Sequence, residues 1–270
     1  MAVAHQCEYW ADKIKMHDHS RTRFFTISTQ RSGSTWLTDL LNSNPDIASY
    51  TELFLLKGDG TPDWGMYKDM VYWQTYRIDL QGIDKYIRPF GVFRYLDESL
   101  SRHPDKRAVG LKLMYTQIVH WPETLLYLKI RDLRVIHLIR RNVLDVVLSS
   151  LARASRKSAH AHQGDAVERV RIQVEPNWLL RQLIKRRREQ HWFAYLLSHL
   201  GVPYLEVIYE DIVYDQALLS ICLEYLGCTN TILDSKLTKM NPSRHDELIE
   251  NIAEVAAALR GTRFSKMLRA

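Results

Sequence analysis

Phe24-Phe25-Thr26-Ile27-Ser28-Thr29-Gln30-Arg31-Ser32-Gly33-Ser34-Thr35-Trp36-Leu37-Thr38-Asp39-Leu40-Leu41 reads as an apolar strand, a tight loop and the first turns of a helix. Such a unit can hold a phosphate-like anion. Gly33 lets the backbone turn close to a ligand, Ser32, Ser34 and Thr35 offer hydroxyl and backbone donors, and the unpaired N–H groups of the helix start face the same point. Arg31 adds a permanent positive charge. Gly-x-x-x-x-Gly-Lys-[Ser/Thr] occurs nowhere in the chain, so a Mg²⁺-dependent nucleotide hydrolase is disfavoured. The competing reading is an ordinary Ser-rich helix cap without a ligand.

Working outward, apolar strand candidates end at Ser28, Leu113, Ile139 and Ile208, and the segments between them carry helical spacing. That alternation predicts an α/β fold, a mostly parallel sheet flanked by helices on both faces. Helices are expected over 34–42, 115–128, 142–157, 177–200, 212–226 and 244–259. In open parallel sheets ligands sit beyond the carboxyl ends of the strands, which should bring Arg31, Lys112 and Arg141 to one crevice. A chain of 270 residues without a low-complexity linker fits one domain over 1–270. The stretches 57–98 and 154–175 are variable, substrate-facing regions, packed lids or the surface of a homodimer.

A second segment agrees with the first. Arg134-Val135-Ile136-His137-Leu138-Ile139 reads as a buried strand, followed by Arg140-Arg141-Asn142-Val143-Leu144-Asp145-Val146-Val147-Leu148-Ser149. Eight positions along a helix is a little over two turns, so Arg141 and Ser149 return to nearly one face and can reach one anion, with Arg141 forking two oxygens. A solvated arginine pair at a helix start is the alternative. Arg140 fits the spacing less well than its neighbour.

The first loop resembles the 5′-phosphosulfate loop of sulfotransferases that use 3′-phosphoadenosine 5′-phosphosulfate (PAPS), in which Lys or Arg precedes Ser-Gly-[Ser/Thr]-Thr and a large apolar residue follows. The chain is similar in pattern to bacterial trehalose and other carbohydrate-type members, through Val109-Gly110-Leu111-Lys112-Leu113-Met114-Tyr115, the Ile208-Tyr209-Glu210-Asp211 strand end, and Asn251-Ile252-Ala253-Glu254-Val255 with Leu259-Arg260-Gly261-Thr262-Arg263-Phe264. The resemblance implies a P-loop-like sheet, with the 5′-phosphosulfate held by Arg31, Ser32, Gly33, Ser34, Thr35 and Trp36. It places Arg141 and Ser149 on the 3′-phosphate, and Arg260, Thr262 and Arg263 as weaker nucleotide contacts. PAPS is then the donor, 3′-phosphoadenosine 5′-phosphate (PAP) the product, and no metal is required.

The base departs from one branch of that family. Cytosolic phenol and steroid enzymes carry Lys-x-His, whereas the matching place here is Lys112-Leu113-Met114, and a thioether takes no proton at any useful pH. Tyrosyl-protein and trehalose-type enzymes use a Glu after the loop's helix and an Asn-Pro-like turn, and Asn44-Pro45-Asp46-Ile47-Ala48-Ser49-Tyr50-Thr51-Glu52 offers Glu52. By position alone Glu52 is a surface carboxylate paired with a cation. Arg31 and Lys112 would neutralise charge on the leaving oxygens while Glu52 takes the acceptor's proton.

The net charge of +6 suits a polyanionic ligand such as PAPS, so nucleic acid is not needed as a partner. Arg181, Lys185, Arg186, Arg187 and Arg188 read as the solvated face of a helix whose apolar side carries Trp178, Leu179, Leu183, Trp192 and Leu196. Cys7, Cys222 and Cys228 are too few and scattered for a disulfide framework or a zinc site. Residues 1–20 show no unbroken apolar run, which predicts neither secretory signal nor membrane span and favours a cytoplasmic protein. His120, His137 and His191 read as structural. The expected acceptor is a small molecule or glycan with a free hydroxyl. A nucleotide or sugar kinase and a non-catalytic PAP-binding protein remain as alternatives.

Overall fold

The computed structural model describes residues 21–58, 60–62, 67, 70–156, 161–162, 168–238, 241–242 and 244–269. The N-terminal segment 1–20 and parts of both expected substrate-facing stretches (59, 63–66, 68–69, 157–160 and 163–167) lie outside them. In chain order the elements are β1 (Thr22–Ser28), α1 (Ser34–Asn42), β2 (Ile47–Tyr50), α2 (Trp73–Tyr76), α3 (Ile83–Tyr86), α4 (Arg88–Ser101), β3 (Ala108–Met114), α5 (Tyr115–His120), α6 (Glu123–Ile130) and β4 (Arg134–Ile139). There follow α7 (Val143–Ala154), β5 (Ala161–His162), α8 (Pro176–Leu200), β6 (Tyr204–Ile208), α9 (Tyr209–Tyr214), α10 (Leu219–Leu226), β7 (Leu237–Thr238) and α11 (Ile252–Leu259).

Five strands form one sheet in the order β2-β3-β1-β4-β6, every neighbouring pair parallel. β1 is central, which explains its apolar residues on both sides: Phe25 and Ile27 face one cluster with Leu111, Leu113 and Tyr95 of α4, while Phe24 faces the other with Leu37, Leu40 and Leu41 of α1. Helices therefore cover both faces, as the strand–helix alternation predicts. β3 lies so close to β1 that a Cβ on Gly110 would stand 2.4 Å from the Phe24 carbonyl oxygen, which admits only glycine there. The chain leaves β1 for β3 and β2 on one side and reaches β4 and β6 on the other, so the order reverses at β1 and opens a crevice at the carboxyl ends of β1 and β4.

The helix expected over 115–128 is two helices, because Pro122 has no N–H to continue the ladder and Trp121 turns out of it. The one expected over 212–226 begins earlier, at Tyr209, and is broken at Asp215, so Tyr209-Glu210-Asp211 open α9 instead of ending β6. Of 244–259, only Ile252–Leu259 is helical. β2 and α4 were not foreseen. No helix among the described residues is long and apolar enough to cross a membrane.

Candidate functional site

The loop after β1 is shaped by backbone the sequence only partly announces. Arg31 and Gly33 both hold left-handed φ values, 64° and 91°. For Arg31 that conformation costs about 1 kcal/mol or more, the kind of strain kept where a side chain must be aimed. A Cβ on Gly33 would meet the Tyr209 ring at 2.3 Å, so α9 as well as φ demands glycine. The Ser32 hydroxyl donates to the Thr29 carbonyl at 2.7 Å and closes the turn. Leu37 N–H makes the first helical bond, to Gly33 O at 3.0 Å, and no side chain caps α1. The first-turn N–H groups thus stay available to an anion. Trp36 packs edge-on against Tyr209, ring centres 5.7 Å apart.

Lys112 on β3 is wholly buried, yet its ammonium reaches Thr35 Oγ1 at 3.0 Å and Glu52 Oε1 at 3.2 Å. Burial depresses its pKa, while the charge of Glu52 pulls the other way. Gln117 Nε2 donates to Glu52 Oε2 at 3.0 Å, and its Oε1 accepts the Met114 N–H at 3.0 Å. Glu52 is therefore oriented at both oxygens, with its side chain 17% exposed. Met114, at the place of the missing histidine, is buried and its sulfur lies 3.8 Å from the Ser28 hydroxyl.

Arg31 Nε donates to Ser149 Oγ at 2.9 Å, joining the loop to α7. Burial, then the positive charges of Arg153, Arg156 and Arg140, lower the Arg31 pKa, against the favourable charge of Glu52. No carboxylate forms an ion pair with Arg31 among the described residues. Arg140 donates to the Arg31 carbonyl at 3.2 Å, lies 4.6 Å over the Tyr209 ring, and is neutralised by Asp145 at 2.8 Å. Asp145 also receives His245 Nε2 at 2.8 Å and Arg269 Nη2 at 2.6 Å. Burial opposes ionisation of Asp145, but His245, Arg140 and Arg269 outweigh it and hold its carboxyl well below the usual range. Arg269 N–H closes on His245 Nδ1 at 2.9 Å, so residue 269 is fastened against α7.

Asn142 caps α7, its Oδ1 accepting from Leu144 and Asp145 N–H at 3.1 and 3.2 Å. Arg141 is more than half exposed and forks Asp211, both bonds 2.7 Å, while Glu210 accepts the N–H groups of Arg141 and Asn142 at 2.9 Å each. Arg141 and Ser149, expected to share one anion, thus have separate partners here. Thr262 spends its hydroxyl inside its own turn, on Leu259 O at 2.7 Å, and Arg260 is exposed. Arg263 is exposed too, and its charge reaches Arg187 of α8, whose pKa is lowered first by burial and then by Arg263. Sequence reasoning overlooked Asp145, Gln117, His245 and Arg269. Of these, only Asp145 had a readable signal, as the acid in the first turn after the arginine pair.

The residues suit a phosphorylated, sulfated ligand. Uncapped α1, an Arg31 that forms no ion pair among the described residues, and the buried Thr29 Oγ1 and Arg140 Nε, without hydrogen-bond partners among those residues, all border the loop. Fold and site together define an α/β protein with a glycine turn and an uncapped helix start where β1 and β4 end. The chain belongs to the sulfotransferase family, whose profile matches residues 23–219. Its structure is similar to a sulfotransferase from Alicyclobacillus acidocaldarius (18% identity over 93% of this chain and 98% of that one, TM-score 0.47). Others are mouse sulfotransferase SULT7A1 complexed with PAP (16%, 82% and 64%, TM-score 0.43) and STF1 from Mycobacterium tuberculosis H37Rv (11%, 83% and 72%, TM-score 0.46). No curated protein matches the chain.

Proposed function

We propose that the protein moves the sulfuryl group of PAPS to a hydroxyl of a carbohydrate, glycolipid or other small-molecule alcohol, with Glu52 as the base. The observation that carries this reading is a fully buried Lys112 standing between Thr35 of the phosphate loop and Glu52, at 3.0 and 3.2 Å. When bound, PAPS supplies an electrophilic sulfur and a phosphate leaving group. The acceptor oxygen bonds to sulfur as its proton passes to Glu52, and the bond from sulfur to the 5′-phosphate oxygen breaks, leaving PAP.

Each protein group has a place in that step. Lys112 and the uncapped N–H groups of α1 face the loop where negative charge grows on the leaving oxygens. Gln117 and Lys112 keep the Glu52 carboxylate aimed, so it needs no reorientation to accept a proton. Ser32, Gly33, Ser34 and Trp36 shape the loop around the phosphosulfate. Arg141 takes the 3′-phosphate by exchanging Asp211 for it, and Ser149 supports the loop through Arg31.

Thermal melting with PAP and with ATP plus Mg²⁺ tests the donor. PAP alone should raise the melting temperature, since a ligand at a hundred times its Kd stabilises by about 2.7 kcal/mol. Stabilisation by ATP and Mg²⁺ only would favour a kinase. Incubation with labelled PAPS and a panel of alcohols should then give sulfated product; PAP binding without any transfer would leave a binding protein.

A further inference from the structure

α7 carries more positive charge than the donor requires. Ser149 and Arg153 stand at i and i+4 on one side of α7, and Arg156 follows just past its C-cap residue Ser155. Arg156 is 5% exposed, and its guanidinium is held by neutral oxygens, the Glu168 carbonyl at 3.2 Å and Asn241 Oδ1 at 2.6 Å. Arg153 donates to the Arg156 carbonyl at 3.0 Å. Neither forms an ion pair among the described residues. Lys112 has Glu52 as its counter-ion, Arg140 has Asp145 and Arg141 has Asp211. Among the described residues Arg31 and Arg153 form no ion pair; burial and then the charge of Arg153 are the main causes of the lowered Arg31 pKa, partly offset by Glu52, while the charge of Glu168 offsets the lowering that burial imposes on Arg156.

Their position says which ligand supplies the missing negative charge. At 1.5 Å per residue, the first helical residue, Val143, stands about 9 Å before Ser149 along the helix axis, with Arg141 lying before it, and Arg153 stands about 6 Å beyond Ser149. Under the sulfuryl-transfer reading the donor spans the first interval, from Arg141 to the loop where Arg31 meets Ser149. Arg153 lies past the sulfuryl end, around an Arg31 whose field also includes Glu52.

We infer that the acceptor is itself an anion, an alcohol carrying a carboxylate, phosphate or sulfate near the hydroxyl that reacts, and that Arg153 is the specificity-determining contact, backed by Arg156. A guanidinium fork matches two oxygens of any of these groups. The inference rests on the proposed sulfuryl transfer.

Calorimetry with inorganic sulfate as probe, on protein saturated with PAP, tests the site without needing the acceptor's name. Wild type should bind one sulfate, Arg153→Ala should weaken it at least tenfold, Arg153→Lys should retain part of it, and the PAP Kd should stay within twofold in both variants. In turnover with PAPS, carboxylated and phosphorylated alcohols should exceed their neutral counterparts at least tenfold in kcat/KM, and Arg153→Ala should erase that preference. A PAP complex with no sulfate site, equal turnover of neutral and anionic alcohols, or a PAP affinity that collapses with Arg153→Ala would each overturn the inference, the last by giving the charge to the donor. Wild-type protein that binds no PAP would instead overturn the donor reading, and the inference with it.

Discussion

At the scale of single residues, Gly33 and Glu52 carry the sharpest expectations. Gly33→Ala adds a Cβ at φ 91° and 2.3 Å from the Tyr209 ring, so it should cost about 1–3 kcal/mol in denaturant melts and weaken PAP as the loop shifts. An unchanged melt and an unchanged PAP titration would mean that Tyr209 yields freely. Glu52→Gln keeps the hydrogen-bonding shape but removes the proton acceptor; turnover should fall about 10²- to 10⁴-fold while PAP affinity stays near wild type. Full turnover would move the base elsewhere. Gly33 was readable because a Ser-rich turn before a helix needs backbone freedom. Gln117, which fixes Glu52 from 65 positions away, left no mark in any local pattern.

α7 shows how an element both confirms and rearranges what spacing suggests. Its start is legible: Asn142 before an apolar run is a cap, and the cap is made. Its partners are not. The eight-residue interval puts Arg141 and Ser149 on related faces, but Asp211, at the start of α9, takes the exposed guanidinium, and Arg31 takes the serine. If Asp211 stands where the 3′-phosphate belongs, Arg141→Ala should weaken PAP by about ten- to hundredfold, and should not change adenosine 5′-phosphate. Asp211→Asn should do the reverse, tightening PAP by up to about fivefold, the worth of an exposed ion pair. Paired calorimetric titrations with the two nucleotides read both outcomes, and equal effects on them would detach Arg141 from the 3′-phosphate.

Across the whole molecule, acid stability reports the buried core and the fastening of His245 and Arg269 to α7. His137 on β4 is fully buried, 2.6 Å from the Tyr115 hydroxyl, and burial lowers its pKa from 6.5 to about 4. Between those values the unfolded chain binds a proton that the native histidine refuses. Stability should therefore fall as pH drops from 6.5 to 4, by about 3 kcal/mol. Urea melts over that range should show the slope, and His137→Gln should flatten it; an equal slope in the variant would assign the loss to other groups. Asp145 adds a second loss at lower pH: its carboxyl is held below its ordinary value, so the stability it contributes is full above about pH 3.9 and disappears below.

The sequence by itself determined the local elements: a glycine- and serine-rich loop at the end of an apolar strand, a capped helix after a second strand, and strand–helix alternation of a mostly parallel sheet with helices on both faces. Those depend on neighbours a few positions apart, where periodicity and backbone preference act. Tertiary structure alone decided which charges meet. Asp145 gathers His245 and Arg269 from 100 and 124 positions away, Lys112 on β3 finds Glu52 beyond the end of the neighbouring β2, and Arg153 forms no ion pair among the described residues. Ion pairs between distant segments follow from strand order and register, which no local pattern encodes.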